Sequence, residues 1–319
     1  MTRGTRPPRR RPTVLAALAA CAMAMAMAMA MASDAVAVTV VDDAGRSVVV
    51  EQPPTRVVTL APSLAELVFA AGAGRSLVGV SALSDYPDAA RAVPRIGDAG
   101  RIDVERVLAL KPDLVLVWQR GNVGREIEQL ERAGVRLFQL EPQRLDDVAR
   151  AIERLGILLG HEGEAKQRAG ALRAALARLR SAHANAPPVR VFYQVWQQPL
   201  MTVNRRQIID EVLGVCAGRN VFAELAPLVP TVSTEAVVAA DPEVILTASE
   251  QGGVAAWTRD PGNAAFALWR RQPRMVAVRR DWLYTLDGDL ISRQGPRIVD
   301  GAAAVCAVLD EVRRERAAR

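Results

Sequence analysis

Two stretches of the chain share one pattern of apolar and polar positions. In residues 102–116 a polar residue that suits a helix N-cap, Asp103, opens a short amphipathic helix, and a proline stops that helix before a run of apolar β-formers. Residues 232–246 repeat this order, with Ser233 as the N-cap and with Glu, Val, Ala, Pro and Leu coinciding without a gap. Each copy predicts a helix followed by a buried strand, so the chain contains two related α/β lobes.

The segments around each copy extend the alternation of strands and helices. They comprise a hairpin at 36–41 and 47–50, a strand at 56–61, a helix from a Ser63–Glu66 capping box to Gly72, a strand at 189–195 and a helix at about 207–217. Strands that alternate with helices favour parallel pairing with right-handed crossovers. We therefore predict the α/β class, with two Rossmann-like lobes whose sheets are mainly parallel.

The region between the lobes has helical spacing and no strand signal. Leu172, Leu176 and Leu179 form one apolar stripe, and the glycines at 156, 160 and 163 mark where the first part breaks. A helix of about 22 residues from Gly163 would be about 33 Å long, enough to span two domains side by side. We expect one long rigid helix to join the lobes, with the domains at 33–142 and 188–319 and the link at 143–187.

The N-terminal residues 1–32 have the layout of an export signal. Five arginines precede the apolar run 14–32, and polar Ser33 follows a boundary of small residues at Ala32. We predict cleavage after Ala32 and residence in the periplasm. Lipidation at Cys21, which follows a lipobox-like Leu-Ala-Ala, is one alternative. Retention as a membrane anchor is another, because about 19 apolar residues approach the length of a bilayer span.

Charge and histidine content exclude several functions. The 319 residues contain 41 Lys+Arg and 35 Asp+Glu, a formal net charge of +6, but five arginines and no acid lie in the leader, so the mature chain carries +1. A chain so close to neutral gives no electrostatic reason to expect a nucleic-acid partner. Both histidines, His161 and His183, fall in the linking region. We therefore predict no catalytic set, no metal site and no cofactor.

Nearly the whole mature chain resembles the helical-backbone periplasmic binding proteins of bacterial ABC importers. The strand-and-proline segments, such as 108–115, are shared by all importers of this fold, whereas Trp118-Gln-Arg-Gly-Asn122 and the segment 215–222 are more particular to the cobalamin-binding branch. The resemblance implies a non-enzymatic receptor that captures cobalamin or a related corrinoid between its lobes. It would deliver this ligand to the permease dimer of an inner-membrane ABC importer.

Other ligands and another class of function stay open. Haem and ferric siderophores are alternative ligands within the same importer class, and a haem importer of this fold would use a tyrosine as its axial ligand. The chain has three tyrosines, Tyr86, Tyr193 and Tyr284. A hydrolase or transferase with an unrecognised site is the alternative from a different class.

Two cysteines, Cys216 and Cys306, remain once the leader is removed. An oxidising compartment favours their pairing, and two buried free thiols are the alternative. Both positions coincide with the disulfide of the cobalamin-binding family, so the resemblance implies a bridge.

The same resemblance implies a small set of ligand contacts. The candidates are Trp118, Asp289, Arg293, Met201, Tyr86 and Trp196. Met201 replaces a ring of the cobalamin protein, and Tyr193, Trp196 and Trp282 are neighbouring rings that would refill the cleft. Four of these candidates also have a plainer interpretation. Trp118 would cover the core, Asp289 and Arg293 would form a solvated ion pair in a loop, and Tyr86 would be a turn residue.

Glu105 and Glu235 occupy the same place in the two copies, two residues after the N-cap. The helix dipole favours a carboxylate there, so stabilisation of the helix start is the plain interpretation. In the cobalamin-binding family, glutamates that align with these two dock on the importer. The resemblance therefore implies two exposed, ionised side chains that engage the permease dimer, and we expect the receptor itself to be a monomer.

Overall fold

The computed structural model describes residues 37–98, 101–122, 124–249 and 255–318. The leader 1–32, with Ala32 and Cys21, lies outside the described residues. Within the described part, no helix has the length and the apolar character that a bilayer span requires.

The first lobe is built on a four-stranded parallel sheet in the order β4-β3-β7-β8, with two small antiparallel pairs beside it. Its strands are β1 (Val38–Val41), β2 (Ser47–Val50), β3 (Val57–Thr59), β4 (Leu77–Val80), β5 (Gly97–Asp98), β6 (Arg101–Ile102), β7 (Leu114–Trp118) and β8 (Leu137–Leu140). β1 and β2 form the expected hairpin around Gly45, whose positive φ of 78° suits glycine.

The second lobe carries a five-stranded sheet in the order β12-β9-β13-β15-β14, in which only β14 runs antiparallel. Its strands are β9 (Val189–Gln194), β10 (Trp196–Gln197), β11 (Leu200–Met201), β12 (Gly218–Asn220), β13 (Val244–Ala248), β14 (Trp257–Arg259) and β15 (Leu283–Leu286). β7 and β13, the repeated strands, are nearly continuous apolar runs because helices cover both faces of a parallel sheet. The prediction of two lobes with mainly parallel sheets is confirmed.

The described helices are α1 (Pro62–Ala70), α2 (Val104–Ala109), α3 (Gly124–Arg132), α4 (Leu145–Leu158), α5 (Glu162–Ala182), α6 (Ile208–Val215), α7 (Thr234–Ala240), α8 (Ala267–Arg270), α9 (Val276–Arg279), α10 (Gly288–Ile291) and α11 (Ile298–Ala317). The repeat helices α2 and α7 begin as predicted. Asp103 and Ser233 each accept a hydrogen bond from the backbone N–H three residues on.

The predicted capping box at Ser63 and Glu66 is wrong. α1 begins at Pro62, two residues before the start that this box implies, and its N-cap is Ala61, which makes no side-chain cap bond. Proline suits the first helical position because its missing N–H would be unbonded there anyway. Glu66 therefore lies a full turn inside the helix, on its buried face.

The region between the lobes contains two helices, α4 and α5, with the break between them in the glycine-containing stretch where the sequence predicted it. α4 packs on the first lobe against α1, and the chain turns at Gly160, where φ is 77°. α5 starts beside the first lobe, with the carboxylate of Glu164 next to Gly72, and ends at the second, where His183 contacts Asp310 of α11. α5, of 21 residues, is thus the long helix that joins the lobes.

A disulfide between Cys216 and Cys306 ties the end of α6 to α11 across a sequence separation of 90 residues. This confirms the predicted pairing and excludes the alternative of two free thiols.

Candidate functional site

The carboxyl edges of the two sheets face each other. In the second lobe, α10 and the segment 292–297 follow the carboxyl end of β15. This segment contacts the start of α1, which follows β3, since a Cβ added at Gly295 would lie 3.2 Å from Glu66 Oε2. It also reaches Asp85, which follows β4. Ligands of open α/β sheets bind at the carboxyl ends of the strands, so this is where a site is expected.

Two arginines of the second lobe and three carboxylates form an ionic cluster in this cleft. We call it the interlobe cluster, and its members are Glu66 and Asp85 of the first lobe and Asp289, Arg293 and Arg297 of the second. Arg293 Nη1 donates to Asp85 Oδ1 at 2.8 Å, and Arg293 Nη2 lies 2.8 Å from Asp289 Oδ1. Arg293 and Asp289, the predicted ligand contacts, therefore lie together at the cleft.

The surroundings of Asp289 and Arg293 differ from the solvated loop that the plainer interpretation expected. Asp289 belongs to the short helix α10, capped by Asp287, and both members of the pair are largely buried. The interpretation as a solvated ion pair is therefore wrong.

The electrostatic environment separates the two aspartates. Burial raises the pKa of Asp289, and the negative charge of Asp85 adds to this against the lowering effect of the arginines. Burial acts in the same direction on Asp85, but the hydrogen bond from Arg293 and its positive charge outweigh it and lower the pKa of Asp85. Asp289 is thus the member of the pair that protonates first as the pH falls.

A cavity of about 510 Å³ opens at the carboxyl ends of β9 and β13 in the second lobe. Gln194, Trp196 and Thr247 are among its lining residues. The hairpin β10–β11 places Trp196 directly opposite Met201, which brings two of the predicted ligand residues together. The ring of Trp196 is 50% exposed, and its Nε1 donates to the backbone oxygen of Gln198 at 2.9 Å.

Trp118 is the last residue of β7 and is half-buried. Its ring packs against the main core and over Gly121, where an added Cβ would overlap it at 1.8 Å. Asn122 holds this turn, because its Oδ1 accepts from the backbone N–H of Trp118 and its Nδ2 donates to Leu60 at the end of β3. Trp118 thus stands at the carboxyl edge of the sheet, and it also covers part of the core.

Of the three tyrosines, Tyr86 alone has a substantially exposed ring, at 46%. The guanidinium of Arg297 stacks over this ring, 4.3 Å from its centroid. Tyr193 and Tyr284 are buried, and so is Trp282, whose Nε1 donates to Glu315 on α11. The expectation that Tyr193 and Trp282 refill the cleft is wrong, because both rings belong to the core of the second lobe.

Both proposed docking glutamates are exposed. Just before α2, the backbone N–H of Asp103 donates a hydrogen bond to the backbone oxygen of Ile96, which lies beyond the carboxyl end of β4. Just before α7, the backbone N–H of Val232 donates in the same way to Leu200, which lies beyond the carboxyl end of β9. Each helix therefore starts at the carboxyl edge of its lobe, so Glu105 and Glu235 both lie on the cleft side. Backbone and Ser233 hydrogen bonds lower the pKa of Glu235, which is ionised at neutral pH.

Three members of the interlobe cluster, Glu66, Asp85 and Arg297, were missed by the sequence reasoning. The available signal was an acid at position 66 within the apolar run 64–70, where a charge on a buried helix face needs a partner. No local pattern marks Arg297. Among the described residues, no group of three or more His, Cys, Asp and Glu side chains is arranged to hold a metal ion.

The profile of the periplasmic binding protein family matches residues 57–290 of the chain. The chain belongs to this family. This chain is 34% identical, over 265 residues, to the vitamin B12-binding protein of Vibrio parahaemolyticus serotype O3:K6. The match covers 83% of this chain and 93% of that protein.

Solved structures agree with this assignment. The periplasmic vitamin B12 binding protein BtuF of Vibrio cholerae superposes with a TM-score of 0.71 at 33% identity, covering 82% of this chain and 98% of that one. A periplasmic heme binding protein from Pseudomonas aeruginosa superposes with a TM-score of 0.67 at 29% identity, covering 80% and 92%. Periplasmic binding proteins are non-enzymatic carriers that act outside the cytoplasm, bind a small ligand and serve ABC importers.

Proposed function

We propose that this periplasmic binding protein captures cobalamin or a close corrinoid between its lobes and delivers it to the permease dimer of an inner-membrane ABC importer. The mature receptor begins after Ala32, with lipidation at Cys21 as the alternative route. The observation that carries the proposal is the likeness of 83% of the chain to a protein named for binding vitamin B12.

The chemistry of the cleft supports this ligand class. A corrin has broad apolar faces and a rim of amide side chains, so it needs flat or flexible apolar contacts together with hydrogen-bonding groups. On the second lobe, the exposed ring of Trp196 and the thioether of Met201 offer the first kind of contact. Asp289 and Arg293 offer the second kind, and Trp118 adds a ring on the first lobe.

Haem is the second candidate, and Tyr86 is the observation that favours it. A phenol ligand to haem iron must reach into the cleft, and Tyr193 and Tyr284 are buried in the core of the second lobe. Tyr86 is exposed beside the interlobe cluster. The likeness to the Pseudomonas aeruginosa heme binding protein agrees with this alternative. A ferric siderophore is the third ligand class.

Glu105 and Glu235 are the proposed contacts with the importer. They are equivalent in the two lobes, exposed and on the cleft side, so a two-fold partner could engage both at once. Helix stabilisation by the same carboxylates does not conflict with this role.

Absorbance titrations of the purified protein with cyanocobalamin and with haem test the proposal. We expect saturable perturbation of the corrinoid spectrum at one ligand per protein. Saturable haem binding without corrinoid binding, lost in Tyr86→Phe, would replace the first candidate by the second.

A further inference from the structure

Glu66 belongs to the first lobe, yet both of its carboxylate oxygens bind arginines of the second. Arg297 Nε donates to Oε2 at 3.0 Å and Arg297 Nη2 donates to Oε1 at 2.7 Å, a two-pronged contact. Arg293 Nη1 also donates to Oε1, at 3.2 Å. The side chain of Glu66 is 1% exposed. A carboxylate buried this completely is held by its partners, because water cannot replace them.

The orientation of the Arg293 guanidinium is therefore fixed largely by carboxylates of the first lobe. Its guanidinium contacts three carboxylates, of which Glu66 and Asp85 are on the first lobe and only Asp289 is on its own. A guanidinium is planar and its donors form a rigid fork, so three acceptors define its orientation.

Arg297 connects the ion pair with Glu66 to the ring of Tyr86 on the first lobe. While it holds Glu66, its guanidinium also stacks on the exposed ring of Tyr86. Tyr86 directly follows Asp85 in the chain. One ionic cluster thus fixes an arginine on one side of the cleft and an aromatic ring on the other.

We propose that Glu66 and Asp85 are positioning residues for Arg293, and that the interlobe cluster sets the separation of the two cleft walls that the ligand contacts. This inference rests on the proposed function for the identity of the ligand. The contacts between the lobes are independent of that identity.

A double-mutant cycle on cyanocobalamin affinity, measured by isothermal titration, tests the positioning role. Asp85 is the safer site, because it is partly exposed and its loss leaves Glu66 paired. We expect Asp85→Asn to weaken binding about fivefold in the wild-type protein and less than about twofold in the Arg293→Ala background. An equal loss in both backgrounds, or no loss in either, would overturn the positioning role of Asp85.

Glu66→Gln keeps the shape of the side chain and removes its charge. We expect at least about tenfold weaker binding. The matched control is Asp88→Asn, an acid three residues after Asp85 that is 99% exposed and pairs with Arg91. It should bind like the wild type. Binding by Glu66→Gln within twofold of the wild type would overturn the role of Glu66, and if this variant does not fold, the Asp85 cycle decides.

Amide hydrogen exchange separates failure of this inference from failure of the proposed function. If the wild type binds no corrinoid, the proposed function fails, and exchange in the segment 292–298 still reports on the cluster. We expect faster exchange there in Glu66→Gln, or in Asp85→Asn, than in Asp88→Asn. Identical exchange in these variants would contradict control of the second lobe by the first.

Discussion

Replacing Trp196 by alanine removes an exposed ring that the cleft offers to a ligand. Half of the side chain is already exposed, since its relative accessibility is 50%. That half is on the order of 100 Å² of indole, and its burial at about 25 cal/mol per Å² is worth about 2.5 kcal/mol, or about 70-fold in Kd. This is an upper value, because ordering a ligand against the protein offsets part of it. We therefore expect Trp196→Ala to bind cyanocobalamin roughly 10- to 70-fold more weakly.

Isothermal titration gives the affinity, and thermal unfolding of the protein without ligand gives the control. Trp196 makes one hydrogen bond to the backbone and is half exposed, so its loss should cost less than about 1 kcal/mol of stability. Trp118→Ala is the informative comparison, because that ring also packs against the core and should lower both affinity and Tm. Unchanged affinity in Trp196→Ala would refute the assignment of Trp196 to the binding surface.

Three further changes test other parts of the account. Replacing Cys216 and Cys306 by serine opens a loop spanning 90 residues, which should lower the free energy of unfolding by roughly 4 to 5 kcal/mol in urea titrations; a loss below about 1 kcal/mol would contradict the estimate. Burial, and then a hydrogen bond to a neighbouring carboxylate, raises the pKa of Tyr284. The neutral phenol therefore stabilises the folded state below the unfolded pKa of about 10, and this contribution to the free energy of unfolding is lost as the pH rises toward the folded pKa. Tyr284→Phe should therefore show a weaker fall of the urea midpoint above about pH 10, and an identical fall would be inconsistent with that origin. Reversing both Glu105 and Glu235 to arginine should abolish the complex with the importer and leave the corrinoid Kd unchanged, whereas normal complex formation would exclude the docking role.

Local patterns were sufficient to predict most of the fold. The repeat predicted both α/β lobes because its N-caps, prolines and apolar strands act within a few residues of one another, as the bonds made by Asp103 and Ser233 confirm. The start of α1 was wrong for a local reason as well. Two signals competed, and Pro62 at the first helical position prevailed over the Ser63–Glu66 spacing.

The candidate site depended on contacts that no local pattern contains. Glu66 and Arg297 are separated by 231 residues and meet only because the lobes pack with their carboxyl edges facing. Local sequence also fails to show which aromatic rings lie in the cleft. Nothing near Trp282 or Tyr193 in the sequence distinguishes a buried ring from one in a cleft, whereas the two-residue turn between β10 and β11 is what leaves Trp196 exposed.

A crystal structure of the protein with cyanocobalamin tests the central claim most directly, because it shows the ligand and its place at once. The account predicts a corrin ring between the lobes, with Trp196 and Met201 against it from one side, Tyr86 from the other and Arg293 at its amide rim. A corrinoid bound outside the cleft would contradict the account, as would crystals that take up haem on Tyr86 and exclude the corrinoid.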